Sequence, residues 1–168
     1  EIKTSFSRFF LVWTMSGMWV SLCSMCALTA ISSSDGVVVN QIFYVGLITF
    51  LVGLSIEILA DYQKTQFRKD PKNKDKFISS GLWARSKHPN YVGEITLWLG
   101  VAIISFSSLE GWQYVSLISP IFTYLLLVYI SGVPQLKESG LKKWGHLESY
   151  QEYIKKTPII KKLQKNNN

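Results

Sequence analysis

Apolar residues along the chain are concentrated in four blocks separated by polar segments. The blocks cover residues 9–31, 41–60, 91–108 and 112–133. A helix that crosses the hydrocarbon core of a bilayer needs about 20 largely apolar residues, and each block approaches or reaches that length. The pattern therefore predicts an all-α fold, a polytopic transmembrane helical bundle of about four spans in a single membrane domain.

The basic residues predict how these spans are oriented. All 18 Lys and Arg residues precede the first span, lie between the second and third spans, or follow the fourth. The remaining loops, 32–40 and 109–111, contain none. Because Lys and Arg collect in short cytoplasmic loops, the chain is predicted to be a multi-pass membrane protein with both termini, the loop 62–88 and an amphipathic tail 134–168 in the cytoplasm.

Charge and cysteine content narrow the classes of partner. The net charge of +7 comes from basic residues in the segments that flank the spans. We therefore expect these residues to interact with membrane lipids, and we predict no nucleic-acid binding. Cys23 and Cys26 are expected to be small packing residues, with a redox or metal pair as the alternative. The chain has only two histidines, so no metal site is predicted. Its first residue is Glu1 rather than Met, and we expect that N-terminal helices are missing.

Two carboxylates stand near the end of the second span. Glu57 and Asp61 are four residues apart on one helical face, where like charges repel unless a cation or a proton lies between them. Lys64 and Arg68 follow on the same stripe if the helix continues. Two interpretations stay open: an interfacial cluster of ion pairs, or one side of a polar pocket at the cytoplasmic face.

A second polar cluster opens the third span, in the stretch S-K-H-P-N-Y-V-G-E at 86–94. Pro89 disfavours helix at the preceding residue, so the helix is predicted to begin near it, with His88 or Asn90 as the N-cap. A helix N-terminus on the side of the basic loops is suited to binding a phosphate of a nucleotide. The alternative is a structural set in which Asn90 caps the helix, Tyr91 anchors it and Glu94 pairs with a lysine.

Two glycines mark one face of the third span. Gly93 and Gly100 lie seven residues apart, so they share a face of the predicted helix. Because they lack side chains, we expect a neighbouring helix or a flat ligand to approach closely along this strip.

The segment after the fourth span is amphipathic. In K-K-W-G-H-L-E-S-Y-Q-E-Y-I-K-K-T-P, the aromatic residues Trp144, Tyr150 and Tyr153 alternate with lysines. Such a segment either lies on the membrane surface or covers a cytoplasmic pocket. The sequence leaves both roles open.

Together these segments resemble a known family. The runs A-D-Y-Q-K-T-Q-F-R, G-L-W-A-R-S-K-H-P-N-Y-V-G-E, S-G-V-P-Q-L-K-E and the tail above are similar to the DUF1295 group of membrane proteins, related to the C-terminal domain of steroid 5-alpha-reductases, over roughly residues 57–158. The resemblance implies a membrane enzyme that binds NADPH from the cytoplasm. It would reduce a carbon–carbon double bond conjugated to a carbonyl in a lipid or steroid-like substrate.

The resemblance also implies which residues contact the cofactor. By position they are Asp61, Arg68, Lys87, His88, Asn90, Tyr91 and Glu94. Lys87 stands where the family usually has arginine, which keeps the charge but loses the bidentate geometry. No catalytic residue is implied, because in the reductases the groups that polarise the carbonyl and supply the proton come largely from N-terminal helices.

Two alternatives remain. Isoprenylcysteine and phospholipid methyltransferases share this architecture and an H-P-x-Y-x-G element, and they use S-adenosylmethionine. They hold its amine with paired glutamates after the last span, where this chain has only Glu138 beside Lys137. The third interpretation is a non-catalytic membrane protein with a degenerate pocket.

Overall fold

The computed structural model describes residues 5–34 and 36–159, without the side chain of Arg8. Within these residues the α-helices are α1 (Phe6–Ile31), α2 (Gln41–Lys69), α3 (Pro89–Phe106), α4 (Ile118–Leu125), α5 (Gly132–Trp144) and α6 (Glu148–Lys156). Short 3-10 turns lie at Pro71–Asn73, Gly81–Ala84 and Gly111–Leu117, and a π-helical turn at Leu126–Ile130 joins α4 to α5. The predicted all-α class is confirmed.

Three helical segments are long and apolar enough to cross a membrane. By length and composition these are Phe9–Ile31, Gln41–Lys69 and Gly111–Trp144. The predicted third span, 91–108, does form a helix, α3, but it is not among the three. The number of spans and the side on which the termini lie therefore stay predictions.

Helix α2 is longer than the apolar block that predicted it. The side chain of Asn40 caps its start by accepting a hydrogen bond of 3.1 Å from the backbone N–H of Phe43. The helix then continues to Lys69, so the first residues of the predicted cytoplasmic loop, 62–69, are helical. These residues are mostly good helix formers. The end of the apolar block therefore does not mark the end of the helix. Their helical course places Lys64 and Arg68 on a rigid element.

Helices α2 and α3 pack with their backbones in contact. A Cβ atom on Gly93 would lie 2.6 Å from the backbone nitrogen of Glu57, and one on Gly46 would lie 2.6 Å from that of Ile104. Real Cβ atoms essentially never come this close, so only glycine allows the approach. The thin strip on α3 is therefore filled by α2 and not by a ligand.

Helix α1 packs against α4 and the preceding turn through small polar residues. Cys26 Sγ donates to the carbonyl of Ser116 at 2.8 Å, and the Thr123 hydroxyl donates to Cys23 Sγ at 3.3 Å. Both cysteines are buried free thiols. Their role in the structure is packing between helices, as the sequence led us to expect.

Candidate functional site

A cavity of about 830 Å³ lies between the C-terminal part of α2, the start of α3, and helices α5 and α6. This volume is within the range of roughly 300 to 1,000 Å³ that holds small molecules and cofactors. Its basic lining residues are Lys64, Arg68, Lys74, Lys76, Lys87, Lys137, Lys143 and Lys155. Its aromatic lining residues are Phe67, Phe77, Trp83, Trp144, Tyr150 and Tyr153. Asp75 is the single carboxylate among the described lining residues.

Trp83 fixes the wall nearest α2. Its indole Nε1 donates to the backbone carbonyl of Ala60 at 3.0 Å, and the side chain is 4% exposed. Lys64 Nζ lies 4.7 Å from the centroid of the Trp83 ring, a cation–π arrangement. Gln63 accepts a hydrogen bond of 2.9 Å from the backbone N–H of Leu82, which holds the 81–84 turn against α2. The helical continuation of α2 is therefore what positions this wall.

The C-terminal tail forms the opposite wall. Tyr153 Oη donates to the carbonyl of Trp83 at 2.7 Å, and Trp144 Nε1 donates to the carbonyl of Asp75 at 2.6 Å. Burial, and then the neighbouring Tyr150, raise the pKa of Tyr153 to about 12, so its hydroxyl stays a donor at neutral pH. Of the two roles open for the tail, covering a pocket is the one the described residues adopt.

His88 stands where α3 begins. Its backbone is non-helical, with φ −141° and ψ 65°, because the following proline disfavours the α conformation. The ring stacks on Tyr91 at a centroid separation of 5.5 Å, and its buried Nδ1 has no hydrogen-bond partner within the described residues. Burial first, and then the charges of Lys64 and Lys87, lower the pKa of His88 to about 4. The imidazole is therefore neutral at physiological pH.

The structure brings only part of the predicted cofactor site into this cavity. Arg68, Lys87 and His88 line it. The cavity lining does not include the four other predicted contacts, Asp61, Asn90, Tyr91 and Glu94. For these four residues the shared pocket stays a prediction, and Glu94 lies close to the carboxylates of Glu57 and Asp61 on α2.

The four residues outside the lining differ in their surroundings. Asp61 is exposed, while Asn90, Tyr91 and Glu94 are half-buried. The carboxylates of Glu57 and Asp61 lie close enough to Glu94 to interact with it electrostatically. Within the described residues, no ion pair includes Asp61 or Glu94, so the interfacial cluster of ion pairs is not formed.

Asn90 and Tyr91 follow His88 in the first turn of α3. The side-chain oxygen of Asn90 is buried and has no hydrogen-bond partner among the residues that the structure describes. Tyr91 borders the site through its stacking on His88. Together with His88 Nδ1, the start of α3 thus carries two buried polar atoms that a bound polar group could satisfy.

Sequence reasoning missed several residues of the cavity wall. Lys74, Asp75 and Lys76, in the loop after α2, are exposed and line the cavity, although none of them was a predicted site residue. Lys143 Nζ lies 3.6 Å from a carboxylate oxygen of Asp75 and joins this loop to α5. Nothing in the sequence pairs these two residues, which are separated by most of the C-terminal half.

The lining determines which ligands the cavity can hold. Eight cationic side chains against one carboxylate create a positive potential that favours ligands carrying several phosphates. Aromatic rings along the same walls offer faces on which a planar base can stack. The lining therefore fits a ligand with several phosphates and a planar ring, and the unpartnered atoms at the start of α3 can bond to a polar group.

Comparison with known proteins is consistent with this geometry. A family model described as "Protein of unknown function (DUF1295)" matches residues 1–157. The chain is 31% identical to the probable O-methyltransferase ustE of Ustilaginoidea virens, over 59% of this chain and 40% of that protein. It is 28% identical to 3-oxo-5-alpha-steroid 4-dehydrogenase 1 of Bos taurus, over 70% of this chain and 40% of the relative.

A human relative shares a shorter stretch. The chain is 32% identical to 3-oxo-5-alpha-steroid 4-dehydrogenase 2 of Homo sapiens, over 44% of this chain and 29% of the relative. The matched regions span less than half the length of each of these curated relatives. No solved structure shows a significant match to the chain.

Proposed function

Since the chain belongs to the DUF1295 family of membrane proteins, we propose that it works as a membrane reductase that binds NADPH in the cationic cavity. The proposed reaction is reduction of a carbon–carbon double bond in a lipid or steroid-like enone. The relatives named 3-oxo-5-alpha-steroid 4-dehydrogenase support this reaction class. The charge of the cavity lining carries the proposal.

The charge argument separates NADPH from the other candidate cofactors. NADPH carries a pyrophosphate and a further phosphate on its ribose, whereas NADH lacks the latter. S-adenosylmethionine carries a sulfonium and an ammonium group, which a positive cavity repels. We therefore expect NADPH to bind more tightly than NADH, and both to bind more tightly than S-adenosylmethionine.

The proposed roles of the chain's own residues follow from their positions. Arg68, Lys87 and Lys64, which all line the cavity, would hold phosphate groups. The aromatic wall formed by Phe77, Tyr150 and Tyr153 would hold a planar ring and exclude water. When bound, the cofactor would supply a hydride. Asn90 and Tyr91 would contact polar groups that extend from the cavity along α3, and Asp61 and Glu94 would contact more distant ones.

A second candidate is a methyltransferase that uses S-adenosylmethionine. The 31% identity to the probable O-methyltransferase ustE favours it. The cavity lining opposes it, because Glu138 is absent from the lining and forms an exposed ion pair with Lys142 at 2.7 Å. The two functions thus make opposite predictions about which ligand binds.

We further propose that the cavity opens to the cytoplasm and that α3 completes a bundle of four spans. The basic residues of the cavity come from the segments that the charge distribution assigns to the cytoplasmic side. Because α3 is bound to α2 through glycine contacts, it can cross the bilayer with much of its surface covered by protein.

One titration tests the proposed function. Full-length protein in detergent is titrated with NADPH, NADH and S-adenosylmethionine, while the fluorescence of Trp83 and Trp144 in the cavity wall is recorded. Binding in the expected order supports the reductase. Binding of S-adenosylmethionine alone would establish the methyltransferase, and binding of none of the three would support the degenerate pocket. Glu152→Gln, on the exposed outer face of α6, is the matched control variant.

A further inference from the structure

The part of the chain that closes the cavity is a strap, residues 148–159, which comprises α6 and the extended residues after it. Tyr150, Tyr153 and Ile154 of the strap face the cavity, together with Lys155 and Ile159. The outer face is exposed and carries an ion pair of 3.1 Å between Glu152 and Lys156. A ligand that fills the cavity would therefore be covered by the strap.

The strap is held at its far end by hydrogen bonds to a single short segment, 83–87. Tyr153 Oη donates to the carbonyl of Trp83 at 2.7 Å. Lys87 donates twice, from Nζ to the carbonyl of Ile154 at 3.1 Å and from its backbone N–H to the carbonyl of Pro158 at 3.0 Å. The hydroxyl of Ser86 donates to the carbonyl of Ile159. All four attachments lie along one edge, so they can be broken together.

The other end of the strap has the features of a hinge. Residues 145–147 form a turn between α5 and α6, in which the backbone N–H groups of Gly145 and Leu147 bond to carbonyls of α5. Helix α6 is attached to the described chain mainly by side chains rather than by close packing of helix against helix. A short helix attached in this way opens locally at lower cost than the glycine-packed pair α2 and α3.

We infer that the strap is a lid, which lifts from segment 83–87 to admit the phosphorylated ligand and closes over it. The inference rests on the proposed function for the identity of the ligand. Lys87 links ligand binding to opening of the lid, because it both bonds to the strap and lines the cavity. An anion that draws its ammonium group into the cavity competes with the carbonyl of Ile154, and the strap is then free to adjust.

The lid is tested by fastening it reversibly. In the full chain, Ser86→Cys and Ile159→Cys place thiols on two residues that the hydrogen bond from the Ser86 hydroxyl to the Ile159 carbonyl holds next to each other. After oxidation, NADPH should associate at least about tenfold more slowly than after reduction, as measured by stopped-flow tryptophan fluorescence. In each of the two single variants, the association rate of NADPH should be the same before and after oxidation. An oxidised double variant that binds as fast as the reduced one overturns the lid.

A second variant separates a lid from an ordinary contact. Tyr153→Phe removes one fastening bond and keeps the ring, so association and dissociation should both accelerate, with a smaller change in Kd. Glu152→Gln, on the outer face of the same helix, should change neither rate. Faster dissociation with unchanged association would make Tyr153 a simple ligand contact and would contradict the lid.

Hydrogen exchange distinguishes failure of the lid from failure of the proposed function. If NADPH does not bind even to the reduced protein, the proposed ligand is wrong. The lid is then tested by hydrogen exchange of the ligand-free protein. Peptides that cover 84–88, which include the Lys87 amide, should exchange faster than peptides of α3 around Gly93. Equal protection of the two would overturn the lid.

Discussion

Gly53 of α2 and Gly93 of α3 lie backbone to backbone. A Cβ atom on Gly53 would come within 2.7 Å of the Gly93 carbonyl oxygen, and one on Gly93 within 2.8 Å of the Gly53 carbonyl oxygen. The contact is thus reciprocal, and it holds together the two helices from which Arg68 and His88 reach the cavity. Separating them would displace the two sides of the site relative to each other.

Gly53→Ala should destabilise the protein. The added methyl group has no space between the two backbones, and overpacking of this kind costs about 1 to 3 kcal/mol. The measurement is a thermal or denaturant unfolding curve in detergent. Gly17→Ala is the matched control, because nothing lies within 4 Å of a Cβ on Gly17, and the helical gain of Ala over Gly should leave stability unchanged or slightly higher. Equal stability of Gly53→Ala and wild type would contradict the tight α2–α3 packing.

Arg68→Gln should weaken NADPH binding. Loss of one charged hydrogen bond to a phosphate costs about 1 to 3 kcal/mol, and the equilibrium titration described above measures it. Unchanged affinity would show that the phosphates do not lie at Arg68.

Glu94→Gln tests whether the bound nucleotide extends beyond the cavity. The resemblance to the reductases predicts a loss of affinity, although Glu94 is not part of the cavity lining. A loss similar to that of Arg68→Gln would show that the ligand continues along α3. Unchanged NADPH affinity would remove Glu94 from the proposed cofactor contacts and confine the ligand to the cavity.

His88 should make the stability of the protein depend on pH. Its pKa is about 4 in the folded chain against 6.5 for the unperturbed side chain, so the unfolded chain binds the proton first as the pH falls. The stability is therefore fully present above pH 6.5 and decreases towards pH 4, by about 1 to 3 kcal/mol for a shift of this size at a partly screened site.

Unfolding curves of wild type and His88→Asn at several pH values measure this dependence. The variant should lose stability less steeply between pH 6.5 and 4. His146→Asn is the control. Because His146 is exposed, this variant should show the same dependence of stability on pH as the wild type. A slope that survives in His88→Asn would assign the effect to other groups.

Trp83→Phe should lower stability by about 1 to 2 kcal/mol, since it removes a buried hydrogen bond and gives Lys64 a weaker cation–π partner. Unfolding curves measure the loss, with Trp112→Phe as the control because Trp112 is 84% exposed. If both variants matched the wild type, the wall around Trp83 would not contribute to folding.

The α3 start shows how far local rules extend. Pro89 predicted both a non-helical His88 and the beginning of the helix, and both are observed. Gly93 and Gly100 likewise predicted a face of α3 that a neighbour can approach closely, because a residue without a side chain leaves space in any helix. The apolar block 41–60 marked only the apolar part of α2, because polar residues continue the helix to Lys69.

The sequence by itself determined the all-α class, the apolar helices and the concentration of positive charge in the segments that build the cavity, because these depend on composition and on spacings of a few residues. Only the tertiary structure decided that Arg68, Lys87 and His88 share that cavity with Tyr150 and Tyr153, while Glu94 faces α2. The physical reason is that a cavity wall is assembled from residues far apart in the chain. The glycines mark the face of α3 that meets a neighbour, but no local pattern encodes that α2 is this neighbour or which residues then meet in the cavity.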